Sequence, residues 1–270
     1  MTGNIRTVIL AISLSSALLG FVGWRVYATR TQPVPQYGIL GARSGSHPDG
    51  CSSLLGLAEQ IVQEEPVTVN SQLTVFVTGD RATANEPIRL AKYPIPRTRK
   101  AIEGRAAGVQ RQQDLLADLL QKCQSVRTSA ISPIFLGIVE ALADLRAQGC
   151  NQNSGCKLYI DSDGEENVNR EIRQALSGAP RSRRTLPAPA DNSGIHVTFC
   201  GLAVTTDGAV QPSQAPSMIL QDHSREDRQR IWESLFTVPG LVSFAPYCPT
   251  RWVRPEEAVE KSTTAHRQSR

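Results

Sequence analysis

Aromatic residues are scarce in this chain: six Phe, five Tyr and three Trp make up 5% of its 270 residues. Lysine is scarce too, with only Lys92, Lys100, Lys122, Lys157 and Lys261 among 29 basic side chains. The one basic cluster, Arg181-Ser182-Arg183-Arg184, has no aromatic interleaved. Bases would find no stacking platform there, so nucleic-acid binding is not expected. The nucleophile elbow G-x-S-x-G, the phosphate loop G-x-x-x-x-G-K-S/T and the zinc helix H-E-x-x-H are all missing. No two cysteines stand as C-x-x-C, which removes the usual spacing of a structural zinc site.

Long hydrophobic runs are missing as well, with one exception. Thr7–Tyr27, TVILAISLSSALLGFVGWRVY, carries no charge between Arg6 and Arg25. That is near the minimum of roughly 17 residues for a membrane-spanning helix. Trp24 and Tyr27 stand where interfacial aromatics belong. Residues 1–31 are therefore expected to form a single-pass signal anchor. A cleaved signal peptide is the rival reading, disfavoured by the length of the run and by the lack of a clear small-x-small site before Arg25. No cysteine follows the segment, which excludes a lipoprotein. Arg6 on one side, with Arg25 and Arg30 on the other, leaves the orientation open.

Six cysteines, Cys51, Cys123, Cys150, Cys156, Cys200 and Cys248, form an even set that suits disulfides in an oxidising compartment. Cys150 and Cys156 bracket a short loop suited to a staple, and Cys248 is a candidate partner for Cys200 or Cys51. The domain is thus expected outside the cytoplasm. A secreted form after cleavage, or a cytoplasm-facing domain with six thiols, is the alternative.

After a linker at 32–36, a domain is expected over 37–250, followed by a disordered tail at 251–270. Strands are expected at Tyr37–Ala42, Leu73–Thr78, Lys157–Ile160, His196–Val204 and Leu241–Ala245. A helix carries Leu54, Leu57, Ala58 and Ile61, with Ser52 or Ser53 as its cap. Further helices are expected over Ile102–Val126, along the stripe Ile134, Ile138, Leu142 and Leu145, and over Glu165–Leu176 and Arg225–Phe236. Residues 79–100 read as a loop. Glu165-Glu166 reads as a solvated first turn, His196 as a packed side chain, and Trp232, Leu235 and Phe236 as core. Strands alternating with helices predict an α/β fold: a Rossmann-like, doubly wound, mostly parallel sheet with helices on both faces.

In such folds, ligands bind at the carboxyl ends of the strands. Gly41-Ala42-Arg43-Ser44-Gly45-Ser46 and Ser162-Asp163-Gly164 both stand there, and Ser132-Pro133-Ile134 opens a helix. Each has a plain structural reading: turn serines, or an aspartate capping the next helix. Taken together, in this order, they resemble the von Willebrand factor A domain over roughly Gln36 to Pro249. The resemblance implies a metal-ion-dependent adhesion site. In it, Ser44 and Ser46 match the two serines of the first loop. Ser132, or less well Thr128, stands for the threonine of the second, and Asp163 matches the aspartate of the third.

Ala42 departs from that pattern, standing where the first aspartate is expected. Hydroxyls coordinate without neutralising, so Mg²⁺ would face a single matched carboxylate and bind weakly or not at all. Asp49, Asp161 or Glu165 moving in would compensate. The implied function is a membrane-anchored domain that binds an unidentified protein partner, with a degenerate metal site and no catalysis. The alternative is a hydrolase that uses Ser44 with His47 or Asp163.

Overall fold

The computed structural model describes residues 34–42, 50–64, 71–78, 87–95, 105–127, 133–164, 166, 168–177, 186–201 and 225–245. All belong to one compact unit, Val34–Arg270. The apolar run Thr7–Tyr27 lies outside them, and among the described residues no helix is long and apolar enough to cross a membrane.

Six strands make one sheet: β1 (Tyr37–Ala42), β2 (Gln72–Thr78), β3 (Ile88–Pro94), β4 (Cys156–Asp161), β5 (Ile195–Cys200) and β6 (Val242–Ala245). Their order is β3-β2-β1-β4-β5-β6, and only β3 runs antiparallel to its neighbour. This is a doubly wound arrangement whose order reverses between β1 and β4, the topological switch point. β1 is buried along its whole length, as its unbroken YGILGA requires. The layers close tightly on it: a Cβ on Gly41 would stand 2.8 Å from Leu54 Cδ1.

Helices α1 (Gly50–Glu64) and α2 (Arg105–Ser125) cover one face. Leu54, Leu57, Ala58 and Ile61 of α1, with Leu115, Leu116 and Leu119 of α2, pack on Ile39, Leu73, Val75 and Val77. Helices α3 (Ile134–Ala147), α4 (Arg170–Leu176) and α5 (Arg225–Glu233) cover the other. There Ile134, Ile138, Leu142 and Leu145 meet Leu40, Leu158 and Ile160, while Trp232, Leu235 and Phe236 close on Val197 and Phe199. The apolar stripes read from the sequence are the faces that became core.

Several expectations differ from the observed elements; the helix expected over Arg225–Phe236 ends at Glu233, and Phe236 bridges to Ala190. β3 lies within 79–100, read as a loop. It is an edge strand with Ile88 and Ala91 inward and Arg89 and Lys92 outward, and it ends on Pro94, a residue tolerated at an edge. Neither Ser52 nor Ser53 caps α1, which already runs from Gly50. α4 starts at Arg170 rather than Glu165, because the Asn169 side chain accepts from the Ile172 amide and sets its first turn. His196 is exposed rather than packed.

Cys51 bonds to Cys123, joining the first turn of α1 to α2, and this removes Cys51 as a partner for Cys248. Cys150–Cys156 staples its short loop, as its spacing predicts. Gly194, at φ +75°, packs against that staple so closely that any Cβ would collide with the backbone of Asn151 and Gln152. Cys200 is also disulfide-bonded.

Candidate functional site

At the switch point, β1 ends at Ala42, which pairs with Thr78 on β2, while Gly41 pairs with Asp161 on β4. Ala42 is buried, and the buried hydroxyl of Thr78 has no hydrogen-bond partner among the described residues. An acceptor side chain at position 42 would stand beside that hydroxyl, and a methyl offers it nothing.

Alternation along a strand places Gly41 and Asp161 on one face and Ala42 on the other. Asp161 accordingly turns toward α1, where Ser53 Oγ donates to Asp161 Oδ2 at 2.5 Å. Both residues are buried. Ser53 thus serves the buried carboxylate rather than its own helix terminus.

The third loop has its own scaffold. The Gly164 amide donates to Ser162 Oγ at 3.0 Å, and Gly164 takes φ +78°. Its carbonyl accepts from Trp232 Nε1 at 3.2 Å, which fastens the loop to α5. Asp163 sits between these points, half-buried.

Glu166 overturns its sequence reading. It is 3% exposed and stands outside α4, so it is no solvated first turn. Its Oε2 accepts from the Phe135 amide at 2.8 Å, while Oε1 accepts from the amides of Val168 at 2.8 Å and Asn169 at 3.0 Å. α3 begins after Pro133, which supplies no side-chain cap. Glu166 therefore provides from a distance the anion that the positive end of α3 favours. The same carboxylate ties the segment carrying Asp163 to the helix that follows Ser132. Burial pushes the Glu166 carboxyl above its ordinary value, outweighing the amide hydrogen bonds that pull it down.

Glu166→Ala is expected to cost about 2 kcal/mol, because buried amides lose their acceptor. Glu166→Gln keeps an acceptor oxygen and should cost less. The pH dependence has a definite sign. A raised folded value means that stability from this group is fully present below about pH 4.5 and is lost as pH rises through the folded value. Urea titrations from pH 4 upward should thus show the Gln variant gaining on wild type as pH rises. A gap that widened against Gln would contradict this account.

Of the residues matched by the family resemblance, the structure describes Asp163 alone. Ser44, Ser46, Ser132, Thr128 and His47 lie outside the described residues, as do Asp49 and Glu165. The described donors do not fit a hard dication. Ala42 contributes a methyl, Asp161 faces the opposite layer with Ser53, and Glu166 is committed to α3. Asp163, which accepts from Ser162 Oγ at 3.5 Å, is the remaining described carboxylate of the third loop. Among the described residues no three His, Cys, Asp or Glu side chains group as metal ligands.

No family model matches this sequence, and no curated protein matches it. Solved structures with some likeness include proximal thread matrix protein 1 from the mussel byssus. That match has 12% identity and a TM-score of 0.41, covering 80% of this chain and 44% of that one. The pilus adhesin SpaC of Lactobacillus rhamnosus GG is 15% identical with a TM-score of 0.42, over 88% of this chain and 30% of its own. Manganese-loaded TRAP protein of Plasmodium vivax is 13% identical with a TM-score of 0.39, over 80% and 70% respectively. The chain spans less than half the length of the first two. These values carry no argument about function, which rests on the geometry of this chain.

Proposed function

We propose that this chain is a membrane-anchored, extracytoplasmic domain of von Willebrand A type that binds a protein partner. It does so through the carboxyl end of its sheet, around Ser44, Ser46, Ser132 and Asp163, without catalysis. The observation that carries the reading is Glu166. One buried carboxylate joins the start of α3, directly after Ser132-Pro133, to the loop bearing Asp163, beside the switch point where β1 leads into Ser44 and Ser46. The start of α3 and the loop bearing Asp163 are in this way held together, and the reading brings Ser44, Ser46 and Ser132 to the same end. In this reading the divalent-metal site implied by the resemblance is degenerate: Ala42 lacks the expected charge, and Asp161 is held by Ser53 on the other face.

A photo-cross-linking residue placed at Ser44 in the full chain is expected to yield adducts with a protein partner, while one at Gln152, beyond the opposite end of the strands, yields none. Ser44→Ala combined with Asp163→Ala should weaken capture roughly tenfold, about 1.4 kcal/mol. Equal adducts at both ends, or full capture by the double variant, would sink the proposal.

A further inference from the structure

Helix α3 is apolar on its outer side as well as its inner one. It turns Ile134, Ile138, Leu142 and Leu145 into the core. Yet it also carries two exposed large apolar side chains, Leu136 at 38% and Val139 at 39%. Ala143 and Ala147 are exposed too. Leu136, Val139, Ala143 and Ala147 follow one another at spacings of three and four, so they lie along one outward stripe. A surface helix ordinarily gives that stripe to charged and polar side chains. Among the described residues the other exposed large apolar side chains, Val109 and Leu186, stand on separate segments.

The charges beside the stripe indicate what covers it. Helical geometry puts Asp144 about 80° to one side of Leu136 and Arg146 about 80° to the other. Each is paired away from the stripe. Arg89 Nη1, on β3, donates to Asp144 Oδ1 at 3.0 Å. Arg146 Nη2 meets Asp191 Oδ2, on the segment before β5, at 2.6 Å. β3 and β5 lie on opposite sides of β1, on which α3 packs, so the two pairs mark opposite edges of the helix. Going outward, one edge reads acid then base, and the other reads base then acid.

A surface with that pattern is complementary to itself. When two α3 helices lie parallel about a two-fold axis, opposite edges meet. Asp144 then faces Arg146 of the second copy, and Arg89 faces Asp191 of the second copy. In an antiparallel pair like edges meet, acid against acid and base against base, so the charges select the parallel arrangement. The 14 residues of α3 make a stripe about 21 Å long and about 10 Å wide. That is far less than the roughly 800 Å² per partner of a standard interface, so the pair is weak and reversible. We infer that this chain pairs with a second copy of itself through α3, with Leu136, Val139 and Ala143 in the seam and Asp144 and Arg146 exchanging partners across its edges. The inference stands apart from the reading of the sheet end, because none of these residues belongs to that surface.

The test is oxidative disulfide trapping of the purified full chain, read by peptide mapping without reduction. A disulfide needs Cα atoms roughly 4.4–6.8 Å apart, which a seated pair supplies. Val139→Cys is expected to link to a second copy roughly tenfold faster than Val109→Cys, since pairing raises the effective concentration at the seam. Val109 is a fair control, 40% exposed on α2 in the opposite layer. Leu136→Cys should link to itself faster than to Ala147→Cys, because a parallel pair brings like positions together. With Val139→Cys as the reporter, Arg146→Glu and Asp144→Lys should each slow linking about fivefold, through the like charges they set at both edges. Mixing the two charge variants should restore the rate to within about twofold, since each then meets its complement, and restoration shows that both have folded. Three results would each overturn the proposal: Val139→Cys linking no faster than Val109→Cys, Leu136→Cys preferring Ala147→Cys, or charge variants that leave the rate unchanged or fail to rescue each other. The first of these would assign the stripe to a different protein.

Discussion

Replacing Trp232 by alanine is expected to cost about 4 kcal/mol, the range for emptying a buried tryptophan site. The indole is 0% exposed, and its ring centroid lies 5.3 Å from that of Phe199. Phe199 also stacks on Phe244 at 5.4 Å and meets Phe236 edge-on at 6.1 Å, so the loss falls on a connected aromatic cluster. The site feels it directly, because Trp232 Nε1 is the donor to the Gly164 carbonyl, next to Asp163. Trp232→Phe separates the two roles. It keeps most of the packing, removes the N–H, and should cost about 1.5 kcal/mol for a buried carbonyl left without its donor. Urea unfolding with an unchanged slope measures both losses, and hydrogen exchange at Asp163 and Gly164 reports whether the loop has loosened. If the Phe variant left stability and exchange unchanged, the indole would be packing alone and the loop would be held by other contacts.

The two described disulfides should differ in weight. Breaking Cys51–Cys123 by a double serine substitution is expected to cost about 4 kcal/mol, against about 2 kcal/mol for Cys150–Cys156. In the chain-entropy account, the penalty grows with the logarithm of the closed loop. The sequence separations are 72 and 6. The longer bridge also fixes the first turn of α1, where the chain arrives from Ser44 and Ser46, against the buried Cys123 of α2. Its removal should therefore weaken partner capture at the sheet end more than removal of the staple does. Thermal and urea melts of the two oxidised variants check the ratio. Equal losses would mean that the unfolded chain is already compact over residues 51–123, or that packing rather than chain entropy sets the gain.

Local pattern by itself determined most of the architecture. The stripe Ile134, Ile138, Leu142 and Leu145 repeats at helical spacing, and it became the buried face of α3 because one face had to leave water. β1 and β2 are apolar through their length, which marks strands covered on both sides. The Cys150–Cys156 staple was legible because a bridge across so few residues needs no knowledge of the fold. β3 was hidden because an edge strand buries one face only and its residues alternate in polarity among loop-forming neighbours.

Tertiary structure alone decided the roles of the polar residues. Glu165-Glu166 before a helical stretch has the composition of a first turn. Yet the helix that Glu166 serves is α3, 31 residues earlier in the chain, and no local rule links a carboxylate to so distant a terminus. Asp161 seemed available to replace the charge missing at Ala42, but strand alternation turned it to Ser53, 108 residues away. Hydrophobic periodicity is a property of neighbours and is written in the sequence. Hydrogen bonding between buried groups is settled only when the layers meet, because each polar group must find a partner wherever packing has left one.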